Sequence, residues 1–145
     1  MKKICIIPAR GGSKRIIKKN IIDFFGKPLI VWTIESALKT KLFDEIVVST
    51  DCDDTAIISR QLNVKVFHRK KFIDDLSPVS EATLYTAKDM NFDNQDIIVQ
   101  LMPNCPLRNE VDIENTFNFF QQLDSNDSVI SCFKFGWMNP WWAFK

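Results

Sequence analysis

The order of segments predicts an α/β domain with a mainly parallel sheet and helices on both faces. Strand-like and helix-like patterns alternate along the chain, which requires crossover connections between strands. The strand-like segments are apolar almost throughout, as expected for strands that are buried on both sides. A loop with two glycines and several basic residues directly follows the first of them. Because ligands of open parallel sheets bind at the carboxyl ends of the strands, this loop is the first candidate for a binding site.

The predicted strands are short runs rich in β-branched residues and bounded by turn residues. They cover residues 3–8, 46–50, 64–67, 96–102 and 128–133. Four of these strands are followed by loops, and we expect the loops to face one another across a common crevice. The loops are residues 8–20, 51–53, 68–80 and 102–108.

The predicted helices carry apolar residues at spacings of three and four, which places them on one face. They cover residues 28–40, 80–90 and 110–122, and a further stretch that carries Ala56, Ile57, Ile58 and Leu62. Pro28 suits the first turn of its helix, and Asn109 is a typical N-cap. Either Asp51 or Asp53 is expected to cap the helix that follows the second strand.

Length and composition indicate a single domain over residues 1–145, since 46% of the residues are hydrophobic. No apolar run approaches the roughly 20 residues of a membrane span, and the N-terminal apolar run is too short for a signal peptide. We therefore expect a cytoplasmic protein without membrane contact. The cysteines form no C-x-x-C pair, so neither a zinc site nor a disulfide framework is indicated, and we interpret most of them as reduced packing residues.

Positive charge is concentrated near the glycine loop, although the net charge is only +1. Residues 1–41 contain ten Lys or Arg against two acidic residues, and the remaining chain is net acidic. A uniformly basic protein would indicate nucleic acid, whereas a local cluster around a glycine turn favours a small polyanion. The alternative interpretation is a solvated basic surface without a ligand.

The loop Arg10-Gly11-Gly12-Ser13-Lys14 matches neither common phosphate-binding fingerprint. It lacks the spacing of G-x-x-x-x-G-K-[ST] and that of G-x-G-x-x-G, which disfavours a P-loop hydrolase and a dinucleotide oxidoreductase. Its many cations nevertheless suit a triphosphate, because Arg offers a two-pronged donor to phosphate oxygens and Lys a movable point charge.

Three runs in the first thirty residues closely resemble the opening of the acylneuraminate cytidylyltransferases. They are residues 7–16 (IPARGGSKRI), 19–21 (KNI) and 26–30 (GKPLI). Further matches follow in order along the chain: Phe43-Asp44, Val47-Val48-Ser49-Thr50-Asp51, Arg69, Ser80, Pro103, Pro106-Leu107-Arg108 and Asp127-Ser128-Val129. The resemblance thus covers nearly the whole chain.

This resemblance implies the Rossmann-like fold of the nucleotide-diphosphosugar transferases and a nucleotide-binding catalytic domain. The implied reaction is the transfer of CMP from CTP to a nine-carbon acidic sugar, with release of pyrophosphate. It also implies Mg²⁺ as a cofactor and a homodimer in the full-length protein. Two alternatives stay open: a nucleotide-binding module without turnover, and a nucleotidyltransferase that uses another sugar or base.

The resemblance also assigns roles to individual residues. Arg10 and Lys19 are the implied catalytic residues, with Lys19 stabilising the charge that builds on the α-phosphate. The implied nucleotide-binding residues are Ala9, Arg10, Gly11, Gly12, Ser13, Asn20, Arg69 and Ser80. The implied sugar-binding residues are Met102, Asn104 and Arg108. No motif includes the single histidine, His68, which we interpret as structural.

One position departs from the family pattern. Met102 stands where the family usually has Gln, and a thioether is a weak acceptor that donates no hydrogen bond. Gln100 lies two residues earlier, on the same side of an extended strand, and could compensate. Asn104 either faces a substrate carboxylate or stabilises the turn.

The family's metal-binding Asp-x-Asp pair is expected beyond Lys145, so no metal ligand is assigned within this sequence and the chain is expected to be C-terminally truncated. Asp51 is interpreted as a helix cap rather than a metal ligand, and Asp74 and Asp75 are expected to face solvent. The aromatic residues of 135–144 are expected to pack against further chain or a second subunit.

Overall fold

The computed structural model describes residues 1–123 and 127–132, and the chain divides into two compact units, Met1–Glu114 and Asn115–Lys145. The elements follow one another in the predicted order. They are β1 (Lys3–Pro8), a 3₁₀ turn (Lys19–Ile21), β2 (Asp23–Phe24), β3 (Lys27–Pro28), α1 (Leu29–Thr40), β4 (Glu45–Thr50), α2 (Asp53–Gln61), β5 (Lys65–His68), α3 (Val79–Asp89), β6 (Ile97–Gln100) and α4 (Glu110–Phe120).

Within the described residues the main sheet has four strands in the order β5-β4-β1-β6, and every pair is parallel. β1 is one of the two inner strands, and its Ile6 lies level with Val47 on one side and Gln100 on the other. The predicted parallel sheet is therefore confirmed. Because all four strands run the same way, the loops that follow them meet at one edge of the sheet.

Helices cover the two faces of the sheet, as predicted. Alternate residues of β1 point to opposite faces, so Cys5 and Ile7 belong to one apolar cluster and Ile4 and Ile6 to the other. The first cluster includes Ile30, Ile34 and Ala37 of α1 and is joined by Ile58 of α2. The second is joined by Phe67, Ala87, Met90 and Phe92, which come from β5 and from the end of α3 and beyond.

A short hairpin of β2 and β3, which the sequence analysis did not predict, connects the glycine loop to α1. Gly26 at its turn has φ +85°, a backbone conformation that other residues rarely adopt. Trp32 on α1 donates a hydrogen bond from Nε1 to the Phe24 carbonyl at 2.9 Å. Lys27 lies with Nζ 3.7 Å from the centre of the Trp32 ring and pairs with Glu35. Lys27 thus attaches the hairpin to α1.

The two predicted helix caps have different outcomes. Asn109 accepts a hydrogen bond from the Asp112 amide at 3.1 Å, and Asp112 accepts one from the Asn109 amide at 3.0 Å, so this N-cap is confirmed. The cap predicted for α2 is wrong. Cys52 occupies the N-cap position without a side-chain hydrogen bond, and the Asp51 carboxylate bonds to Gly11 instead.

The predicted strand at 128–133 is wrong over its described part. Residues 127–132 adopt no helix or strand, and Ile130 is 84% exposed. Strand propensity measures how well a side chain fits a half-buried pleated surface, and these residues have no neighbouring strand to pair with among those described. Phe133 and the aromatic residues of 135–144 lie outside the described residues. No helix in the described part of the chain is long and apolar enough to cross a membrane.

The burial of β1 leads to a stability prediction. Ile6 is 0% exposed, and Ile6→Val should lower the free energy of unfolding by about 1 kcal/mol, because it removes one buried methyl group from a packed site. Urea denaturation measures the change. The matched control is Ile17→Val at a side chain that is 81% exposed, where we expect a change below about 0.5 kcal/mol. Equal effects in the two variants would contradict the assignment of β1 to the core.

Candidate active site

The loops at the carboxyl ends of β1, β5 and β6 enclose an open cleft of about 160 Å³. Its position follows from the parallel sheet, as the sequence analysis predicted. The lining residues come from the glycine loop, the 3₁₀ turn, the loop after β5, α3 and the loop after β6. They are Pro8, Arg10, Ser13, Lys19, Asn20, Arg69, Phe72, Asp74, Asp75, Ser77, Val79, Ala82, Met102, Pro103 and Asn104.

The glycine loop is packed against the end of β4. The Gly11 amide donates a hydrogen bond to Asp51 Oδ1 at 2.8 Å. A Cβ atom added to Gly11 would lie 2.9 Å from Cys52 Cβ, closer than real side chains approach. The Ser13 amide donates to the Gly11 carbonyl at 2.9 Å, which closes a tight turn. These two amides are engaged within the protein, so neither is available to an anionic ligand in this structure.

Most of the loop's cations are balanced by acidic residues. Arg10 and Lys14 both pair with Asp75, the latter at 2.7 Å, and Lys18 pairs with Asp54 at 2.8 Å. Lys19 lines the cleft and makes no ion pair within residues 1–123 and 127–132. It is therefore a cation available to a ligand, in agreement with the role that the sequence resemblance implies for it.

Asp75 is exposed, as expected, but it also borders the cleft, where it pairs with two cations. Hydrogen bonds from Lys14 and Arg10 hold the pKa of its carboxyl below the usual range. Asp74 also borders the cleft and turns the loop, since its carboxylate accepts hydrogen bonds from the Leu76 amide and from the amide and hydroxyl of Ser77. These bonds lower the pKa of Asp74 to about 2. The positions of Asp74 and Ser77 in the sequence are typical of an Asx turn, whereas the sequence does not indicate that Asp75 pairs with Arg10 and Lys14.

Asn20 and Arg69 present buried polar groups at the cleft. Asn20 is 5% exposed, and its Nδ2 donates to the Arg10 carbonyl at 2.9 Å while its Oδ1 has no partner. Arg69 is 2% exposed, and burial lowers the pKa of its guanidinium; its Nε also lacks a partner. An unpaired buried polar atom costs free energy, so a ligand that pairs with it gains affinity. One of the two unpaired atoms is an acceptor and the other is a donor, and both are shielded from solvent in the structure.

Five predicted site residues do not line the cleft: Ala9, Gly11, Gly12, Ser80 and Arg108. Ala9 is fully buried, and its amide donates to the Ser49 carbonyl at 2.8 Å, which continues the sheet pairing. Ser80 is exposed in the first turn of α3. Arg108 donates to the Met102 carbonyl at 3.1 Å and to Thr33 Oγ1 at 3.3 Å, so it holds the loop after β6 against α1.

The loop after β6 presents Met102 and Asn104 to the cleft. Gln100 does not line the cleft with them. Its Oε1 accepts a hydrogen bond from Thr83 at 2.7 Å, and its Nε2 lies 3.8 Å from Met102 Sδ. Gln100 therefore contacts Met102 without lining the cleft itself. The side chain that lines the cleft at this position is the Met102 thioether.

Comparison with known proteins agrees with the geometry of the cleft. Residues 4–135 match the family model described as cytidylyltransferase. The chain belongs to this family. It is 42% identical over 129 residues to a pseudaminic acid cytidylyltransferase of Campylobacter jejuni, covering 86% of this chain and 56% of that protein. It is 35% identical over 133 residues to an N-acylneuraminate cytidylyltransferase of Streptococcus agalactiae, covering 90% of this chain and 32% of that protein.

Solved structures show the same fold. A cytidylyltransferase from Leptospira borgpetersenii aligns with a TM-score of 0.69 and 27% identity, over 86% of this chain and 51% of that one. A CMP:2-keto-3-deoxy-manno-octonic acid synthetase complexed with CTP aligns with a TM-score of 0.70 and 24% identity, over 86% and 49%. The cytidylyltransferase family and its parallel fold are thus established, while the chain spans about half the length of these relatives.

The pairing of Asp75 leads to a binding prediction. Asp75→Asn should strengthen the binding of inorganic tripolyphosphate by about two- to fivefold at low salt, because the ligand no longer displaces a carboxylate from Arg10 and Lys14. Isothermal titration calorimetry measures the affinity. The control is Asp89→Asn, which changes net charge equally at an exposed position on α3 that does not line the cleft. The same gain in both variants would contradict a specific competition at Asp75.

Proposed function

We propose that the whole protein transfers CMP from CTP to a nine-carbon acidic sugar and releases pyrophosphate. The observation that carries this proposal is the composition of the cleft in a chain of the cytidylyltransferase family. An unpaired cation, Lys19, stands beside two buried polar groups with free hydrogen-bonding atoms, Asn20 Oδ1 and Arg69 Nε. A triphosphate requires a cation, and the base and ribose of a nucleoside require hydrogen-bonding groups.

In the proposed reaction a sugar hydroxyl attacks the α-phosphorus of CTP. A new phosphorus–oxygen bond to the sugar forms while the bond from the α-phosphorus to the pyrophosphate oxygen breaks, and the hydroxyl proton passes to water. Such a transfer needs positioning and charge neutralisation more than covalent catalysis. Arg10, Ser13 and Lys19 would hold the triphosphate, and Lys19 would stabilise the charge that builds on the α-phosphate. Asn20 and Arg69 would bind the nucleoside.

Arg10 reaches this arrangement only by exchanging its partner. In the structure its guanidinium pairs with Asp75, so a bound phosphate would have to take the place of that carboxylate. The exchange costs little free energy, because the Arg10–Asp75 pair is partly exposed and the incoming ligand carries more charge. Lys14 would be released by the same step, since it shares Asp75 with Arg10.

Pseudaminic acid is the sugar that we place first among the acidic substrates. The matching pseudaminic acid enzyme shares 42% identity with this chain, against 35% for the N-acylneuraminate enzyme. Asn104 in the cleft offers an amide to a carboxylate or hydroxyl, and Met102 offers an apolar surface.

We propose Mg²⁺ as the cofactor and a homodimer as the working assembly. The described residues contain no group of three or more His, Cys, Asp or Glu side chains that could hold a metal ion. The cleft's own acids are also committed, since Asp74 turns its loop and Asp75 pairs with cations. The proposed ligands of Mg²⁺ therefore lie outside the described residues, and the ion would supply charge neutralisation at the phosphates.

A second candidate function is nucleotide binding without turnover. The observation that favours it is Met102, whose thioether cannot donate a hydrogen bond to a substrate, together with the engagement of Gln100 by Thr83. Tight binding of CTP without release of pyrophosphate, for every acidic sugar offered to the whole protein, would select this alternative.

A direct assay tests the proposed transfer. Pyrophosphate release by the whole protein with Mg²⁺ should occur with CTP and should be at least about tenfold slower with UTP, ATP or GTP, because buried polar groups that match one base are left unpaired by another. Pseudaminic acid should be used in preference to N-acetylneuraminic acid. Equal rates with all four nucleotides would contradict base recognition by Asn20 and Arg69.

The proposed role of Lys19 gives a prediction for a single side chain. Lys19→Ala should lower kcat at least about 100-fold, because it removes a charge aimed at the transition state, and should leave the melting temperature unchanged. Steady-state kinetics and thermal unfolding measure the two effects. The control is Lys39→Ala on the exposed side of α1, which removes the same charge away from the cleft. Full activity of Lys19→Ala would exclude the assigned role.

A further inference from the structure

We propose that Ser49 and Thr86 are positioning residues that fix the orientation of Arg69 through a directional chain of hydrogen bonds. The chain leads from α3, across the end of β4, to the guanidinium at the cleft. This inference deepens the proposed function, because it says how one of the proposed nucleotide-binding groups is held in place. It assigns a role to two buried hydroxyl groups that do not themselves line the cleft.

The contacts form one continuous path. Arg69 Nη1 donates to the Ser49 carbonyl at 3.3 Å and to Ser49 Oγ at 3.2 Å. Ser49 Oγ lies 2.7 Å from Thr86 Oγ1, and Thr86 Oγ1 donates to the Ala82 carbonyl at 2.8 Å. Ser49 and Thr86 are fully buried, so water does not compete for these bonds.

The direction of the path follows from counting protons. A hydroxyl carries one hydrogen, and that of Thr86 is used on the Ala82 carbonyl. The hydrogen between the two hydroxyl groups must therefore come from Ser49, which leaves the lone pairs of Ser49 Oγ to accept from Arg69. Each hydroxyl group in the path thus has one donor–acceptor assignment, in which Ser49 Oγ accepts the hydrogen bond from the Arg69 guanidinium.

The path constrains a side chain that would otherwise have several orientations. An arginine loses substantial rotamer freedom when it is fixed, and Arg69 makes no other side-chain hydrogen bond that the structure records. The two bonds of Nη1 to Ser49 leave Nε buried and without a partner beside the cleft. Removing the Ser49 hydroxyl would leave only the longer contact with the carbonyl, and the guanidinium would gain freedom.

The competing explanation is that these hydroxyl groups only satisfy one another inside the fold. Ser59 provides the matched control, since it is also 0% exposed and its Oγ donates to a carbonyl of its own helix, Thr55, at 2.7 Å. Ser59→Ala therefore removes an equally buried hydroxyl that does not contact Arg69. Any effect common to Ser49→Ala and Ser59→Ala reports stability alone.

The experiment measures the order of the Arg69 side chain and the affinity for CTP in the whole protein. Nitrogen-15 relaxation of the Arg69 Nε–H group in the nucleotide-free protein should show a rigid guanidinium in the wild type and in Ser59→Ala, and a mobile one in Ser49→Ala. Calorimetry should show CTP binding weakened about three- to tenfold by Ser49→Ala, as for the loss of one hydrogen bond of ordinary strength. In an Arg69→Ala background, Ser49→Ala should have no further effect on CTP binding.

A second pair of variants changes Thr86 on α3. These variants test the proposal even if Ser49→Ala does not fold. Thr86→Val keeps the shape and removes the hydroxyl, and it should mobilise Arg69, whereas Thr86→Ser keeps the hydroxyl and should preserve the order. An equally rigid Arg69 in Ser49→Ala or in Thr86→Val, or equal losses of CTP affinity with and without Arg69, would overturn the proposal. Failure of the wild type to bind CTP would overturn the proposed function, while the relaxation measurements would still decide whether the path orients Arg69.

Discussion

The close approach of the glycine loop to the end of β4 is the contact on which the geometry of the cleft depends. Gly11 lies so near Cys52 that a side chain would not fit, and its amide is held by the Asp51 carboxylate. This contact joins the loop after β1 to the segment after β4, which are neighbours because the two strands pair in parallel. The 3₁₀ turn that follows, with Asn20 bonded to the Arg10 carbonyl, is placed by the same contact.

Charge balance is the second feature that shapes the cleft. The basic N-terminal segment does not form a bare positive surface, because Asp54 and Asp75 from later parts of the chain and Glu35 from the segment itself pair with four of its cations. Lys19 stands apart from these pairs. Among the described residues, Lys19 thus lines the cleft without an ion pair, whereas Arg10 and Lys14 are held in pairs that a more highly charged ligand can displace.

The prediction of the fold from sequence succeeded where the signal was local. β1 and β4 are short apolar runs that end at turn residues, and their periodicity places them correctly within a residue or two. The hairpin of β2 and β3 has only two residues in each strand, too few for a pattern. Residues 128–132 have the composition of a strand but no strand beside them in the described structure, and composition cannot supply a pairing partner.

The candidate site shows the same division. Arg10, Ser13, Lys19, Asn20, Arg69, Met102 and Asn104 were identified from sequence and line the cleft together. Asp51 was interpreted as a helix cap because an Asp before a helix usually has that role. In the structure its carboxylate accepts a hydrogen bond from the Gly11 amide instead. Asp75 was expected to face solvent and is exposed, but its pairing with Arg10 and Lys14 was not predicted, because these partners are more than sixty residues away in sequence.

The sequence by itself determined the parallel α/β class, the edge of the sheet where the cleft lies, and the cytidylyltransferase family, because periodicity, glycine turns and ordered motifs are encoded over short stretches. Only the tertiary structure decided which polar groups are already paired and which are free. The partners of Gly11, Asp75, Ser49 and Arg69 lie between about twenty and seventy residues away along the chain, and packing alone brings them within hydrogen-bonding distance.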